Sequence, residues 1–116
     1  MDIFEAIKSR RSCRSFLPDA IAESAVRQIL EAANWAPSPA NNQPWEFLVV
    51  TSKETKTRIA EHSDITKKQL FEKTGWKWMD KYKTDFLKDV PLIIAVIGDP
   101  DKSGAGVFMK GGENSY

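Results

Sequence analysis

The chain has 116 residues, 41% of them apolar, with 17 basic against 16 acidic side chains and a formal net charge of +1. That length suits one small domain around a single core, and so even a charge balance argues against a partner recruited by field alone, whether nucleic acid or an anionic membrane. The single cysteine, Cys13, excludes an internal disulfide framework and makes a reducing, cytoplasmic setting the expectation; with only one histidine, His62, it also argues against a zinc cluster. No apolar run approaches ~18 residues, so no membrane span is expected. The start, Met1 to Glu5, is acidic and amphipathic and has no signal-peptide layout.

Asp2 followed by Glu5 reads as a capping box, with Ile3, Ala6 and Ile7 marking the apolar face of a helix about two turns long. Next comes Ser9-Arg10-Arg11-Ser12-Cys13-Arg14-Ser15-Phe16. If Arg10 to Arg14 is extended, side chains alternate, and Arg10, Ser12 and Arg14 share one face. Two guanidinium forks flanking a hydroxyl suit a phosphate, because Arg meets phosphate oxygens bidentately. A solvated basic strip is the competing reading. Cys13 points the other way and reads as a small buried hydrophobe.

Beyond Pro18, residues 22–36 read as a helix with Val26, Ile29, Leu30 and Ala33 on its apolar side, ending before Pro37. The connector Ala36-Pro37-Ser38-Pro39-Ala40-Asn41-Asn42-Gln43-Pro44-Trp45 carries three prolines in eight residues, which rules out regular helix. It is stiff, and it presents one hydroxyl and three amides. Such uncharged donors and acceptors suit a flat polar heterocycle; an ordinary turn accounts for the same residues.

Trp45 to Thr51 reads as a strand interior to a sheet. A capping signal at Thr51 to Glu54 predicts a short helix through Arg58, Ile59 and Ala60, with His62 near its end and at the surface. Residues 64–88 hold seven lysines and four acids. Leu70, Phe71, Trp76, Trp78, Met79, Tyr82 and Phe86 interrupt that charge, which predicts one or two amphipathic helices broken near Gly75. Lysines among aromatics can stack single-stranded nucleic acid, but the mixed signs favour helices laying aromatics on a core or a ligand. Val90 to Gly98 is a second, nearly all-apolar strand, read as buried and central, with Pro91 at its start. Asp99 to Gly104 is turn chemistry. Gly104, Gly106, Gly111 and Gly112 form no dinucleotide fingerprint, and no Walker-A run or nucleophile elbow occurs.

Together, Arg10-Arg11-Ser12-Cys13-Arg14-Ser15-Phe16 and Ala36-Pro37-Ser38-Pro39-Ala40-Asn41-Asn42-Gln43-Pro44-Trp45 resemble the RRSxRxF and APSxxNxQPW segments of the nitroreductase family of FMN-dependent oxidoreductases, in the family's order from Met1 to about Val50. The resemblance implies an α+β nitroreductase-like fold, helices packed around a mostly antiparallel sheet, and an intertwined homodimer with FMN at its interface. It also implies that residues 1–116 form a single domain that is an amino-terminal portion of the family's, incomplete at the C-terminus. Arg10, Ser12 and Arg14 would hold the FMN phosphate and ribityl chain, and Arg11 would contribute through its backbone. Pro37, Ser38, Pro39, Asn41 and Gln43 would lie along the isoalloxazine. Phe71, Trp76 and Trp78 would be candidates to stack on substrate. The implied reaction passes hydride from NAD(P)H through the flavin to a nitroaromatic, quinone or similar small-molecule acceptor. The cofactor would carry the chemistry, so no catalytic side chain and no metal is expected. The alternative is a flavin-binding or interaction module without turnover.

Overall fold

The computed structural model describes residues 1–102; Gly104, Gly106, Gly111 and Gly112 lie outside the described residues. In chain order the elements are α1 (Ile3–Ser9), α2 (Glu23–Asn34), a 3-10 turn (Pro39–Asn41), β1 (Trp45–Val50), α3 (Lys53–Thr74), α4 (Lys77–Lys81), a second 3-10 turn (Asp85–Lys88) and β2 (Ile93–Gly98).

α1 forms as the capping box requires. The Asp2 carboxylate accepts from the Glu5 N–H at 2.9 Å, and the Glu5 carboxylate accepts from the Asp2 N–H at 3.0 Å. Two of the helix's orphan donors are thereby satisfied. No residue of α1 is buried, and Ile3, Phe4 and Ile7 are exposed. In α2, Val26 is buried and Leu30 half-buried, whereas Ile29 and Ala33 remain exposed, so only part of the expected stripe is covered. A Glu23–Arg27 pair at 2.6 Å spans its first turn. Trp45 Nε1 donates to Asn34 Oδ1 at 3.0 Å and staples the end of α2 to the start of β1.

The short helix expected around Arg58, with separate pieces after Asp64, is instead one helix of 22 residues, and His62 stands in its middle. Apolar periodicity fails at Glu61-His62-Ser63-Asp64, but side chains bridge the gap. Ser63 Oγ donates to the Ile59 carbonyl at 2.8 Å, and Asp64 pairs with Lys67 at 2.9 Å and with Lys68 at 2.8 Å. Neither Gly nor Pro interrupts residues 53–74. Charged pairs three and four apart therefore carry the helix across a stretch that packing does not. It ends where expected: Gly75 takes the left-handed conformation, φ 67°, and its N–H reaches the Phe71 carbonyl at 2.8 Å.

The strands pair antiparallel from Trp45↔Gly98 to Val50↔Ile93. The second begins at Ile93 rather than Val90, because the Val90 N–H is committed to the Phe86 carbonyl at 3.2 Å. The expectation of interior strands is corrected as well. The sheet among the described residues has two strands, and Leu48, Val96 and Ile97 are exposed, Val96 at 65%. Among the described residues each strand therefore has an open edge, and neither face is fully covered. Val26, Val50, Ala60, Met79 and Val90 are the buried apolar residues among those described.

α3 packs on α4 and on the Asp85–Lys88 turn. Three of its lysines tie it to the segment that leads back to β2. Lys53 Nζ donates to the Lys88 carbonyl at 2.8 Å, Lys56 Nζ to the Val90 carbonyl at 2.7 Å, and Lys67 Nζ to the Tyr82 carbonyl at 2.8 Å. Cys13 is exposed, not buried as its alternation suggested, because the chain around it lies on the surface rather than under a second layer.

Candidate functional site

The connector is held in a strained shape by its own hydrogen bonds. The Asn41 N–H reaches the Ser38 carbonyl at 3.0 Å, the Asn42 N–H the Pro39 carbonyl at 3.1 Å, and Ser38 Oγ accepts from the Gln43 N–H at 2.9 Å. Ala40, Asn41 and Gln43 have φ of 50°, 52° and 47°. The left-handed region costs a residue with a Cβ about 1–2 kcal/mol, least for Asn, and such strain concentrates at ligand clamps. Asp99 N–H to the Pro44 carbonyl at 2.8 Å fixes the far end against the sheet. Ser38 is half-buried, while Pro37, Pro39, Asn41, Asn42 and Gln43 are exposed. The amide side chains of Asn41, Asn42 and Gln43 make no hydrogen bond among the described residues, so their capacity is free for a ligand.

The basic segment leaves α1 in extended backbone at Arg10, φ −53° and ψ 131°. Arg10 Nη1 reaches Ser12 Oγ at 3.5 Å, which puts those two side chains together as the alternation requires. Arg11 turns away and donates to the Lys8 and Arg10 carbonyls at 2.8 and 2.9 Å. The Arg14 guanidinium lies 4.9 Å from the centre of the Tyr82 ring, and Phe16 stacks on Phe86 at 6.0 Å. Among the described residues no acid pairs with Arg10 or Arg14. The positive charge is uncompensated there, and no hydrogen bond among the described residues joins this segment to the connector.

A cleft of about 970 Å³ opens between α3 and the segment that follows it. Of the three candidates to stack on substrate, Trp78 lines it and Phe71 and Trp76 do not. Phe71 is half-buried and lines a separate, small hollow beside Lys68 and Asp80, and Trp76 stacks on Trp78 at 6.2 Å. Leu70 and Tyr82, expected on a core or a ligand, line the cleft, and so do Arg58 and His62, which the sequence reading did not place in a site. The signal was the three- and four-residue spacing along α3, visible only once residues 53–74 are taken as a single helix. Asp64, near this wall, is held at about 2, below its ordinary 3.8, first by the Lys68 hydrogen bond and then by that from Lys67. The same bond raises Lys68. Among the described residues no helix is long and apolar enough to cross a membrane.

This arrangement of helices and antiparallel strands recurs in flavoproteins of known structure. An iodotyrosine deiodinase, crystallised in its oxidised form with FMN and 3-iodo-L-tyrosine, superposes with a TM-score of 0.72 at 24% identity, over 90% of this chain and 64% of its own. An FMN-dependent nitroreductase from Clostridium difficile R20291 superposes at 0.67 with 28% identity, over 91% of this chain and 52% of its own. In sequence, an iodotyrosine dehalogenase 1 homolog of Caenorhabditis elegans is 30% identical over 102 residues, 80% of this chain but 31% of the relative's length. The fold is the nitroreductase α+β fold. The nitroreductase family model matches residues 7–109, and the chain belongs to that family.

Proposed function

We propose that the chain binds FMN and serves a flavin-dependent oxidoreductase that takes electrons from NAD(P)H and delivers them to a nitroaromatic, quinone or similar acceptor. The observation that carries this reading is the division of labour in the basic segment. Arg10 and Ser12 stand together and free of acids, while Arg11 is occupied by backbone carbonyls. That is the pattern a phosphate needs on one side of an extended chain. The residues present fit the cofactor. Arg10, Ser12 and Arg14 would hold its phosphate and ribityl chain, with Arg11 supplying its backbone. Pro37, Ser38, Pro39, Asn41 and Gln43 would set a rigid polar edge along its ring, pre-organised by the Ser38–Gln43 hydrogen bond. Bound FMN supplies the two-electron chemistry; the chain's own residues bind, orient and exclude water.

The Caenorhabditis elegans relative favours a second reading for the acceptor, a halogenated aromatic ring. The exposed Ile3, Phe4, Ile7, Leu48 and Val96 support assembly as a homodimer, since two copies would cover faces that one leaves open. A cytoplasmic setting goes with this reading. Three measurements test it: flavin absorbance of the purified protein, oxidation of NADH and NADPH, and sedimentation at micromolar concentration. Colourless protein that takes up no added FMN overturns the flavin assignment. Flavin without turnover leaves a binding module, and a compact monomer overturns the dimer.

A further inference from the structure

The connector between α2 and β1 is closed at its base by two side chains. Asn34 is the last residue of α2, and its Oδ1 accepts from Trp45 Nε1, 11 residues further on, at 3.0 Å. An indole N–H is a donor and nothing else, so the Asn34 oxygen, not its nitrogen, must face it. Trp45 is half-buried and is the first residue of β1. Its backbone N–H donates to the Gln43 carbonyl at 2.8 Å. One residue thus grips the connector twice, next door at Gln43 and across its base at Asn34. Pro44, between Gln43 and Trp45, is buried, and its carbonyl accepts from the Asp99 N–H at 2.8 Å. The strained residues sit inside this loop: Ala40, Asn41 and Gln43 all have positive φ. Backbone in that region persists only where its surroundings over-determine it. The bonds within the loop are local, from the Asn41 N–H to the Ser38 carbonyl, from the Asn42 N–H to the Pro39 carbonyl and from the Gln43 N–H to Ser38 Oγ. Among the described residues the Asn34–Trp45 bond is the side-chain hydrogen bond that joins α2 to the far end of the connector.

We propose that Asn34 and Trp45 are positioning residues for the flavin edge: their bond holds Ser38, Asn41 and Gln43 in the shape that meets the ring. The proposal rests on the FMN reading for the identity of the ligand. Neither side chain need touch the ring. Asn34 acts through Trp45, and Trp45 acts through its backbone bond to Gln43. Breaking the clasp frees the base of the loop and lets the positive-φ residues relax. The entropy of closing the loop is then added to the cost of binding. A packing role for Trp45 predicts something different, because the ring would then matter and its N–H would not.

The test uses the whole chain and three single variants. Asn34→Leu removes the acceptor, Trp45→Phe removes the donor but keeps an aromatic ring, and Asn34→Asp keeps an acceptor oxygen. Amide hydrogen exchange is measured first, without flavin. Loss of one neutral hydrogen bond should speed exchange of the Asn41 and Gln43 N–H groups about three- to tenfold in Asn34→Leu and in Trp45→Phe. The Val90 N–H, bonded to the Phe86 carbonyl, should keep its wild-type rate. The Asn34→Leu/Trp45→Phe double variant should be no worse than either single one, and Asn34→Asp should stay near the wild type. Titration with FMN, followed by flavin fluorescence, then reads the consequence. Affinity should fall by the same factor, about three- to tenfold, in Asn34→Leu and Trp45→Phe, with the absorption bands of the bound flavin displaced toward those of free FMN. Unchanged exchange at Asn41 and Gln43, equal acceleration at Val90, additive losses in the double variant, or faster exchange with FMN affinity and absorption unaltered would each overturn the proposal. Wild-type protein that takes up no FMN counts against the cofactor reading, and the exchange rates still decide whether the clasp shapes the connector.

Discussion

Lys56 offers a sharp test of how the return segment is held. Its side chain runs from the first turn of α3 into the interior, the residue is 8% exposed, and Nζ donates to the Val90 carbonyl at 2.7 Å and more weakly to that of Pro91 at 3.4 Å. Replacing it by Met keeps most of the apolar stem and removes the donor. A hydrogen bond from a charged group contributes about 1.5–3 kcal/mol, and the Val90 carbonyl would lose its partner in a partly buried place. Relief of the ammonium's own desolvation works against this, so the expected loss for Lys56→Met lies toward the lower end of that range. Lys56→Ala also forfeits the stem, at ~0.8 kcal/mol per buried methylene. Lys53 makes the outward comparison: it bonds the Lys88 carbonyl and Asp89, but its side chain is 66% exposed. Lys53→Met should then cost no more than about 1 kcal/mol. Urea denaturation followed by tryptophan fluorescence, at one fixed protein concentration, measures all three. Equal effects at Lys53 and Lys56, or a stabilising Lys56→Met, would refute the claim that the buried lysine anchors the approach to β2.

Two further outcomes follow from the same helix. Gly75 has φ +67°, and no atom lies within 4 Å of the place a methyl group would take there, so Gly75→Ala meets no clash; it should still cost about 1 kcal/mol through backbone strain alone, read as a lower urea midpoint. Asp64 is depressed from 3.8 to about 2 by Lys68 and Lys67, so the folded chain binds this proton less readily than the unfolded one. Its contribution is therefore complete above about pH 3.8 and is lost as pH falls through about 2. Helical circular dichroism of the wild type should decline across that window more steeply than that of Asp64→Asn. Lys68 is shifted upward, so its share is complete below the ordinary 10.5 and is lost only in stronger alkali.

What could be read from the sequence was whatever local chemistry decides. Asp2 and Glu5 cap α1 through bonds three residues apart, Gly75 ends α3 because it tolerates φ > 0, and Pro37 stops the helix before it. The full length of α3 was hidden because salt bridges from Asp64, rather than apolar periodicity, carry it through residues 61–64. Strand positions were legible but their burial was not. An all-apolar strand predicts a covered sheet, and Leu48, Val96 and Ile97 are not covered by the helices among the described residues. In the site, the pairing of Arg10 with Ser12 and the outward turn of Arg11 follow from alternation along an extended chain. The left-handed turn at Ala40 and Asn41 does not, because alanine carries no mark of positive φ. Nor does the α3 cleft, which depends on two elements meeting in space; Trp78 lines it, and Phe71 lines a separate small hollow beside Lys68 and Asp80.

The most direct test of the cofactor assignment is an FMN fluorescence titration of the wild type, Arg10→Ala and Arg11→Ala under identical salt. Arg10 stands free beside Ser12, so removing its charge-assisted contact should weaken FMN by about ten- to a hundredfold. Arg11 spends its guanidinium on the Lys8 and Arg10 carbonyls, so Arg11→Ala should stay near the wild type. Equal losses in the two variants, or no saturable FMN binding by the wild type, would contradict the account.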